Sequence, residues 1–235
     1  KDDPALASVY NCLGMTFSRQ NLHADAIEYY KKALDCQARL EYSNNNALAE
    51  IHNNIGLSFI GLKMLSEAHA SLEEAERIQM REPWNTRAHI ASIYANIAYV
   101  HYLDKGIHYK LDESEEYFEK AVRIYQKMSN KITHDAIEKT LLKAECYTNY
   151  GHLLSVKMAP DAQERYDEAA ESFERAALES TNDSEKGMSY HNLGNSYLSQ
   201  MSGIGSPEQG QEVLQKSIDA YKQSLKHNPT DDASK

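Results

Sequence analysis

Apolar and small residues recur along the chain at steps of three and four, the spacing of one helical face, rather than in the strict alternation of a strand. Five segments share one stripe: Tyr10-x-x-Leu13-Gly14-x-x-Phe17, His52-x-x-Ile55-Gly56-x-x-Phe59, Tyr94-x-x-Ile97-Ala98-x-x-His101, Tyr147-x-x-Tyr150-Gly151-x-x-Leu154 and Tyr190-x-x-Leu193-Gly194-x-x-Tyr197. In each, the small residue marks where a second helix can approach closely. That helix follows every time, as Ala26-x-x-x-Tyr30-x-x-Ala33, Ala68-x-x-x-Leu72-x-x-Ala75, Ser114-x-x-x-Phe118-x-x-Ala121, Ala169-x-x-x-Phe173-x-x-Ala176 and Ser217-x-x-x-Tyr221-x-x-Ser224. The i, i+4, i+7 spacing predicts an amphipathic helix with small residues at its contacts and one bulky plug between them. A single such hairpin cannot bury its apolar face, whereas a stack of five can. Strand signals are nearly absent, and only 5 prolines and 10 glycines leave room for long helices.

At these positions the chain resembles the tetratricopeptide repeat family, whose aromatic, Leu-Gly, Tyr, Ala, Phe, Ala and Pro pattern it matches from Ala7 to Pro229. The resemblance implies an all-α fold, a right-handed superhelical solenoid of about five helix-turn-helix repeats. The repeats fall at 7–40, 49–81, 91–127, 144–180 and 187–229, within a single domain over 5–230. Gly14 and Gly56 lie 42 residues apart, as do Gly56 and Ala98, against a family period of about 34. The surplus follows the second helix, so Gln37, Ala38, Arg39 and Leu40 read as its continuation. Repeats of this length resemble those of kinesin light chain and the Pins-type polarity adaptors. The later repeats lengthen inside the hairpin, where 104–111, 157–166 and 199–213 are too long for a tight turn. Ser206-Pro207-Glu208-Gln209 reads as an N-cap with Pro at the first helical position and Gln in the capping-box place, and Asn228-Pro229 as a stop.

Charge narrows the partner. The net charge of -10 comes from 25 basic and 35 acidic residues, interspersed rather than blocked. Phosphate-backbone binding needs clustered Lys and Arg, so nucleic acid is not expected and a neutral or basic protein segment is. A mean hydropathy of -0.67 and the lack of a long apolar run argue against membrane insertion. Cys12, Cys36 and Cys146 are an odd count with no C-x-x-C pair, which favours free thiols and a reducing, cytoplasmic setting. The chain begins Lys1-Asp2-Asp3-Pro4 and reads as a fragment of something longer; no signal peptide pattern opens it.

One polar position recurs without a structural need. The residue before each aliphatic-small pair is Asn54, Asn96, Asn149 and Asn192, with Cys12 in the first repeat. Asparagine is a mediocre helix former. By resemblance to kinesin light chain and to the superhelical repeats of O-GlcNAc transferase, this position faces the concave surface and implies an asparagine ladder gripping a peptide backbone. A carboxamide donates to a carbonyl and accepts from an N–H at once, so it holds extended chain whatever its side chains. The alternative is hydrogen bonding between helices of the scaffold. The same register puts Asn11, Met15, Asn53, Leu57, Ile60, Tyr99, Tyr102, His152, His191 and Asn195 on that face. Tyr99 and Tyr102 are anchors for a partner segment or packing against a neighbouring helix.

The family's two-carboxylate clamp for chaperone C-terminal tails uses cations at positions that here carry Asn11 and Met15, then Ser92 and Asn96, so that ligand is disfavoured. No H-E-x-x-H or Cys/His zinc spacing occurs among the 10 histidines, and His52 and His101 sit at packing positions. Gly203-Ile204-Gly205 follows no strand and reads as a flexible loop rather than a nucleotide fingerprint. The acidic pairs at Asp112-Glu113 and Glu115-Glu116 suit helix starts, and the Asn182-Asp183-Ser184 sequon matters only in a secreted protein. The reading is therefore a protein-binding adaptor or scaffold with no cofactor, metal or catalytic residue. The rival is a regulatory sensor domain of a larger signalling or enzyme protein, whose groove takes a short peptide or an intramolecular segment.

Overall fold

The computed structural model describes residues 4–40, 44–81, 87–104, 110–128, 134–157, 159, 161–201 and 206–227. Among these the chain is all helix: α1 (Pro4–Arg19), α2 (His23–Ala38), α3 (Asn45–Gly61), α4 (Leu65–Gln79), α5 (Arg87–Leu103), α6 (Leu111–Lys127), α7 (His134–Val156), α8 (Ala162–Glu179), α9 (Asp183–Gln200) and α10 (Pro207–His227). The packing divides them into two compact units, Lys1–Ile124 and Tyr125–Lys235.

In the first unit each hairpin closes on a slot and a plug. A β-carbon built at Gly14 would lie 2.5 Å from a ring carbon of Tyr30, and one at Gly56 would lie 2.7 Å from Leu72 Cγ. Only glycine lets the backbone of α1 or α3 come that close. Tyr30 with Ala26 and Ala33 is buried beside Ile51 and Ile55 of α3, while Leu72, Ala68 and Ala75 are buried with Ile93, Ile97 and Val100 of α5. In the third hairpin the slot residue is Ala98, and Ser114 replaces the first alanine; its hydroxyl donates to the Ala98 carbonyl at 2.7 Å.

The turns repeat as faithfully as the core. Asn21 and Lys63 both adopt left-handed φ, 60° and 62°, and each is followed by an N–H that closes a six-residue turn, Leu22 to the Phe17 carbonyl and Met64 to the Phe59 carbonyl, at 3.0 and 2.9 Å. This is the Schellman closure of a helix C-terminus. Asparagine tolerates the conformation, whereas lysine pays a steric cost there. Asn44 starts α3 by accepting from the N–H groups of Asn46 and Ala47, and Asn182 starts α9 in the same way. The sequon asparagine is thus a helix cap.

The second unit holds α7–α10 and the end of α6. A β-carbon at Gly151 would lie 2.8 Å from Tyr166, and one at Gly194 would lie 2.7 Å from Tyr221. Ser217 donates to the Gly194 carbonyl at 3.0 Å, as Ser114 does in the first unit, and Ser224 donates to the Gly187 carbonyl at 2.8 Å.

Several expectations meet the structure directly. Helix α2 continues to Ala38, with Arg39 as its C-cap, so the extra turn after Ala33 is real. Ser206 caps α10, accepting from the Gln209 N–H at 3.2 Å with Pro207 as the first helical residue. The expected long connection at 157–166 is instead short, because α8 begins at Ala162. That moves the fourth plug: Tyr166, not Phe173, stands opposite Gly151, in the frame Ala162-x-x-x-Tyr166-x-x-Ala169. Residues 105–109 and 202–205, within the two other connections, lie outside the described residues, as do Gly203-Ile204-Gly205 and Asn228-Pro229.

The three thiols are free, with Cys12 exposed and Cys146 buried. Burial pushes the Cys146 thiol well above the ordinary range, with the Glu168 carboxylate adding to the shift. Only thiolate reacts appreciably with iodoacetamide. Cys12 should therefore alkylate quickly in the native protein and Cys146 only on unfolding, as read by peptide mass mapping with and without urea. Rapid native labelling of Cys146 would contradict the packing of α7.

Candidate functional site

The first helices of the hairpins carry the polar positions singled out above. In the first unit these are α1, α3 and α5. Their amides pair across repeats: Asn54 Nδ2 donates to Asn11 Oδ1 at 3.3 Å, and Asn96 Nδ2 donates to Asn53 Oδ1 at 2.8 Å. The two pairs share a register, since donor and acceptor are 43 residues apart in both. One amide of each repeat thus reaches to the residue one position earlier in the preceding repeat. Asn11 also donates to Glu50 Oε1 at 2.9 Å, a carboxylate on α3 that the sequence pattern did not single out.

These bonds tie helices together, as in the scaffold alternative, without exhausting the amides. A carboxamide offers two N–H groups and an oxygen with two lone pairs. All four asparagines are half-buried. They form a fixed row of polar groups along α1, α3 and α5, each oriented by its neighbour. Beside them Leu57 is 40% exposed, and the half-buried Tyr99 and Tyr102 rings stack on each other with centroids 6.3 Å apart and planes 26° apart. Met15 and Ile60 pack against the cores of α2–α3 and α4–α5.

The second unit uses the same positions differently. His152 is bonded on both ring nitrogens, Nδ1 to the Tyr166 hydroxyl at 3.2 Å and Nε2 to Ser199 Oγ at 3.3 Å, and so joins α7, α8 and α9. Burial lowers its pKa, which suits a neutral imidazole that donates on one side and accepts on the other. Asn195 accepts from the Tyr221 hydroxyl at 2.6 Å. His191 is exposed and tilts against Tyr221, with ring centroids 5.6 Å apart. Asn149 and Asn192 are half-buried. The amide relay finds no amide here, because the position that Asn192 would reach, one before Asn149, is Thr148. Thr148 turns its hydroxyl back to the Ala144 carbonyl, at 3.0 Å.

Among the described residues no helix is long and apolar enough to cross a membrane, and no group of three or more His, Cys, Asp or Glu is placed to hold a metal. His101 is buried, with its ring 4.8 Å from that of His69 and 5.9 Å from that of Tyr117.

Paired helices locked by small residues and repeated in register define an all-α helical-repeat protein. Residues 5–81 match the tetratricopeptide repeat family model, so this stretch is a run of tetratricopeptide repeats, and the hairpins after it share that fold. No curated protein matches the sequence. Among solved structures, BtubC (BKLC) from P. vanneervenii is similar at 17% identity and TM-score 0.54, over 99% of this chain and 83% of that one. A Podosopora anserina protein described as a kinesin light chain with nearly identical TPR-like repeats is similar at 16% identity and TM-score 0.52, over 98% of this chain and 100% of that one. A variant of that protein gives 16% and 0.51, over 97% and 98%. Tetratricopeptide repeats are protein-interaction scaffolds and are typically not enzymes.

Proposed function

We propose that the chain is a peptide-binding module and that its first unit holds an extended segment of a partner protein along α1, α3 and α5. The observation that carries this reading is the row of cross-repeat amide pairs, Asn11 with Asn54 and Asn53 with Asn96. Amides already oriented by a neighbour need little reordering when they meet a peptide backbone, which reduces the entropic cost of binding. Exposed Leu57 and the Tyr99–Tyr102 pair supply apolar contact beside the amides. The net charge of -10 favours a neutral or basic segment. In the second unit Asn149, Asn192, His191 and Asn195 extend the proposal, while His152 serves chiefly as a brace.

A displayed library of random peptides, panned on the wild-type protein, provides ligands for the test. Asn96→Ala removes one amide bond but gains helix propensity, so the unfolding free energy should change little, by less than about 1 kcal/mol. Affinity for the selected peptides should fall about tenfold, the equivalent of about 1.4 kcal/mol. Asn96→Ala binding as tightly as wild type would remove the amides from the binding surface. A large drop in stability with unchanged binding by the folded fraction would make them scaffold only.

A further inference from the structure

One helix face recurs on α1, α3 and α5, and of the three only that of α1 is uncovered. Ile51 and Ile55 of α3 are buried against Ala26, Tyr30 and Ala33 of α2, and Ile93 and Ile97 of α5 are buried against Ala68, Leu72 and Ala75 of α4. Leu48 and Ile90 begin the same stripe one turn earlier. The residues 42 places before Leu48, Ile51 and Ile55 are Leu6, Val9 and Leu13 of α1. All three are exposed, and Val9 is 52% exposed where Ile51 is 2%. A terminal repeat of a solenoid ordinarily turns a polar face to water; α1 turns this apolar one.

The other half of the same joint is uncovered on α10. Helix α2 receives α3 on a stripe centred on its plug, Tyr30. Leu34, four residues on, packs against the cluster of Ile51 and Ile55, and the ring of His23, seven residues before, lies against Gly61 of α3. Ile27, between them, is buried. Counted from the plug Tyr221, the matching residues of α10 are Leu214, Ile218 and Leu225. All three are exposed, Leu225 at 60%, and Tyr221 is only half-buried where Tyr30 is 2% exposed.

We propose that copies of this chain join head to tail, with α1 of one copy docking on α10 of the next as α3 docks on α2. The chain itself argues for this occupant. The face on α1 fits a helix of the α2 type, and α10 carries a face of that type uncovered. Joining the two removes both apolar stripes from water and uses none of the paired amides. The contact is heterologous, so every joined pair keeps one unused α1 face and one unused α10 face. Growth continues past the dimer unless the rotation closes a ring. A joint of one helix pair falls below about 1,200 Å² of buried surface, the range of weak and transient association, so assembly follows protein concentration.

Sedimentation velocity from micromolar to about 1 mM protein spans the Kd range of a contact this small. It is run on wild type, Val9→Asp, Ile218→Asp and an equal mixture of the two variants. Both side chains are exposed, and circular dichroism checks each fold; Leu6→Asp and Leu225→Asp repeat the cross at other positions of the two stripes. The mean mass of wild type should rise with concentration beyond a dimer. Each variant alone should stay monomeric, its association weakened at least about tenfold. The mixture should form a dimer and stop there, because it holds one intact α1 face and one intact α10 face. Wild type that stays monomeric throughout overturns the proposal. So does a single variant that associates by itself, which would mean like faces pairing, or a mixture that stays monomeric while wild type assembles.

Discussion

Leu72→Ala lowers the stability of the protein by about 2–5 kcal/mol in urea unfolding, and Gly56→Ala in the same chain recovers part of the loss. Leu72 is wholly buried and fills the slot above Gly56, so its truncation forfeits transfer free energy and leaves a cavity. Gly56→Ala alone is also unfavourable. Its new methyl would sit 2.7 Å from Leu72 Cγ and 2.8 Å from Leu72 Cδ2, an overpacking that costs about 1–3 kcal/mol. In the Leu72→Ala background the same methyl enters vacated space, and alanine brings its helix-propensity gain of about 1 kcal/mol. The double-mutant cycle should show a favourable coupling of at least about 1 kcal/mol. Simple additivity would mean that slot and plug do not share one contact.

The second large effect tests the frame of the fourth hairpin. Tyr166→Ala should cost about 3–5 kcal/mol, because the ring is 2% exposed and its hydroxyl is 3.2 Å from His152 Nδ1. Phe173→Ala removes an equally buried ring, so size of loss alone does not identify the plug. Gly151 does. Added to Tyr166→Ala, Gly151→Ala fills the space left at the slot and restores stability. Added to Phe173→Ala, it forces a methyl to within 2.8 Å of the intact Tyr166 ring and deepens the loss. Tyr166→Phe isolates the hydroxyl, at about 0.5–1.5 kcal/mol. Rescue of Phe173→Ala by Gly151→Ala would restore the later frame.

That hairpin shows what the sequence pattern leaves open. Ala162-x-x-x-Tyr166-x-x-Ala169 and Ala169-x-x-x-Phe173-x-x-Ala176 have the same spacing, seven residues apart. Periodicity fixes the face of a helix and cannot by itself choose between frames two turns apart. The choice depends on where α8 starts, which is set by chain closure after α7. The other slots were legible because glycine and plug recur at a constant interval in the first two hairpins. The amide row was legible as a recurrence of asparagine. Its pairing was not: Asn11 and Asn53 fall on the same face in sequence, but helix spacing carries no information on which residues of different repeats meet. The contact of His69 with His101 is invisible in sequence for the same reason, since it exists only once α5 packs on α4.

The slots also bear on the order in which the chain acquires its structure. Gly14 and Tyr30 are 16 residues apart, as are Gly56 and Leu72, while Gly194 and Tyr221 are 27 apart. Joining residues so near in sequence closes a small loop, and closing the longer one costs about 0.5 kcal/mol more by chain statistics. Contacts of this local kind favour rapid folding. The early hairpins can therefore snap shut independently, within the time their helices take to form, and the last is the one most exposed to competing encounters before its tyrosine finds its glycine.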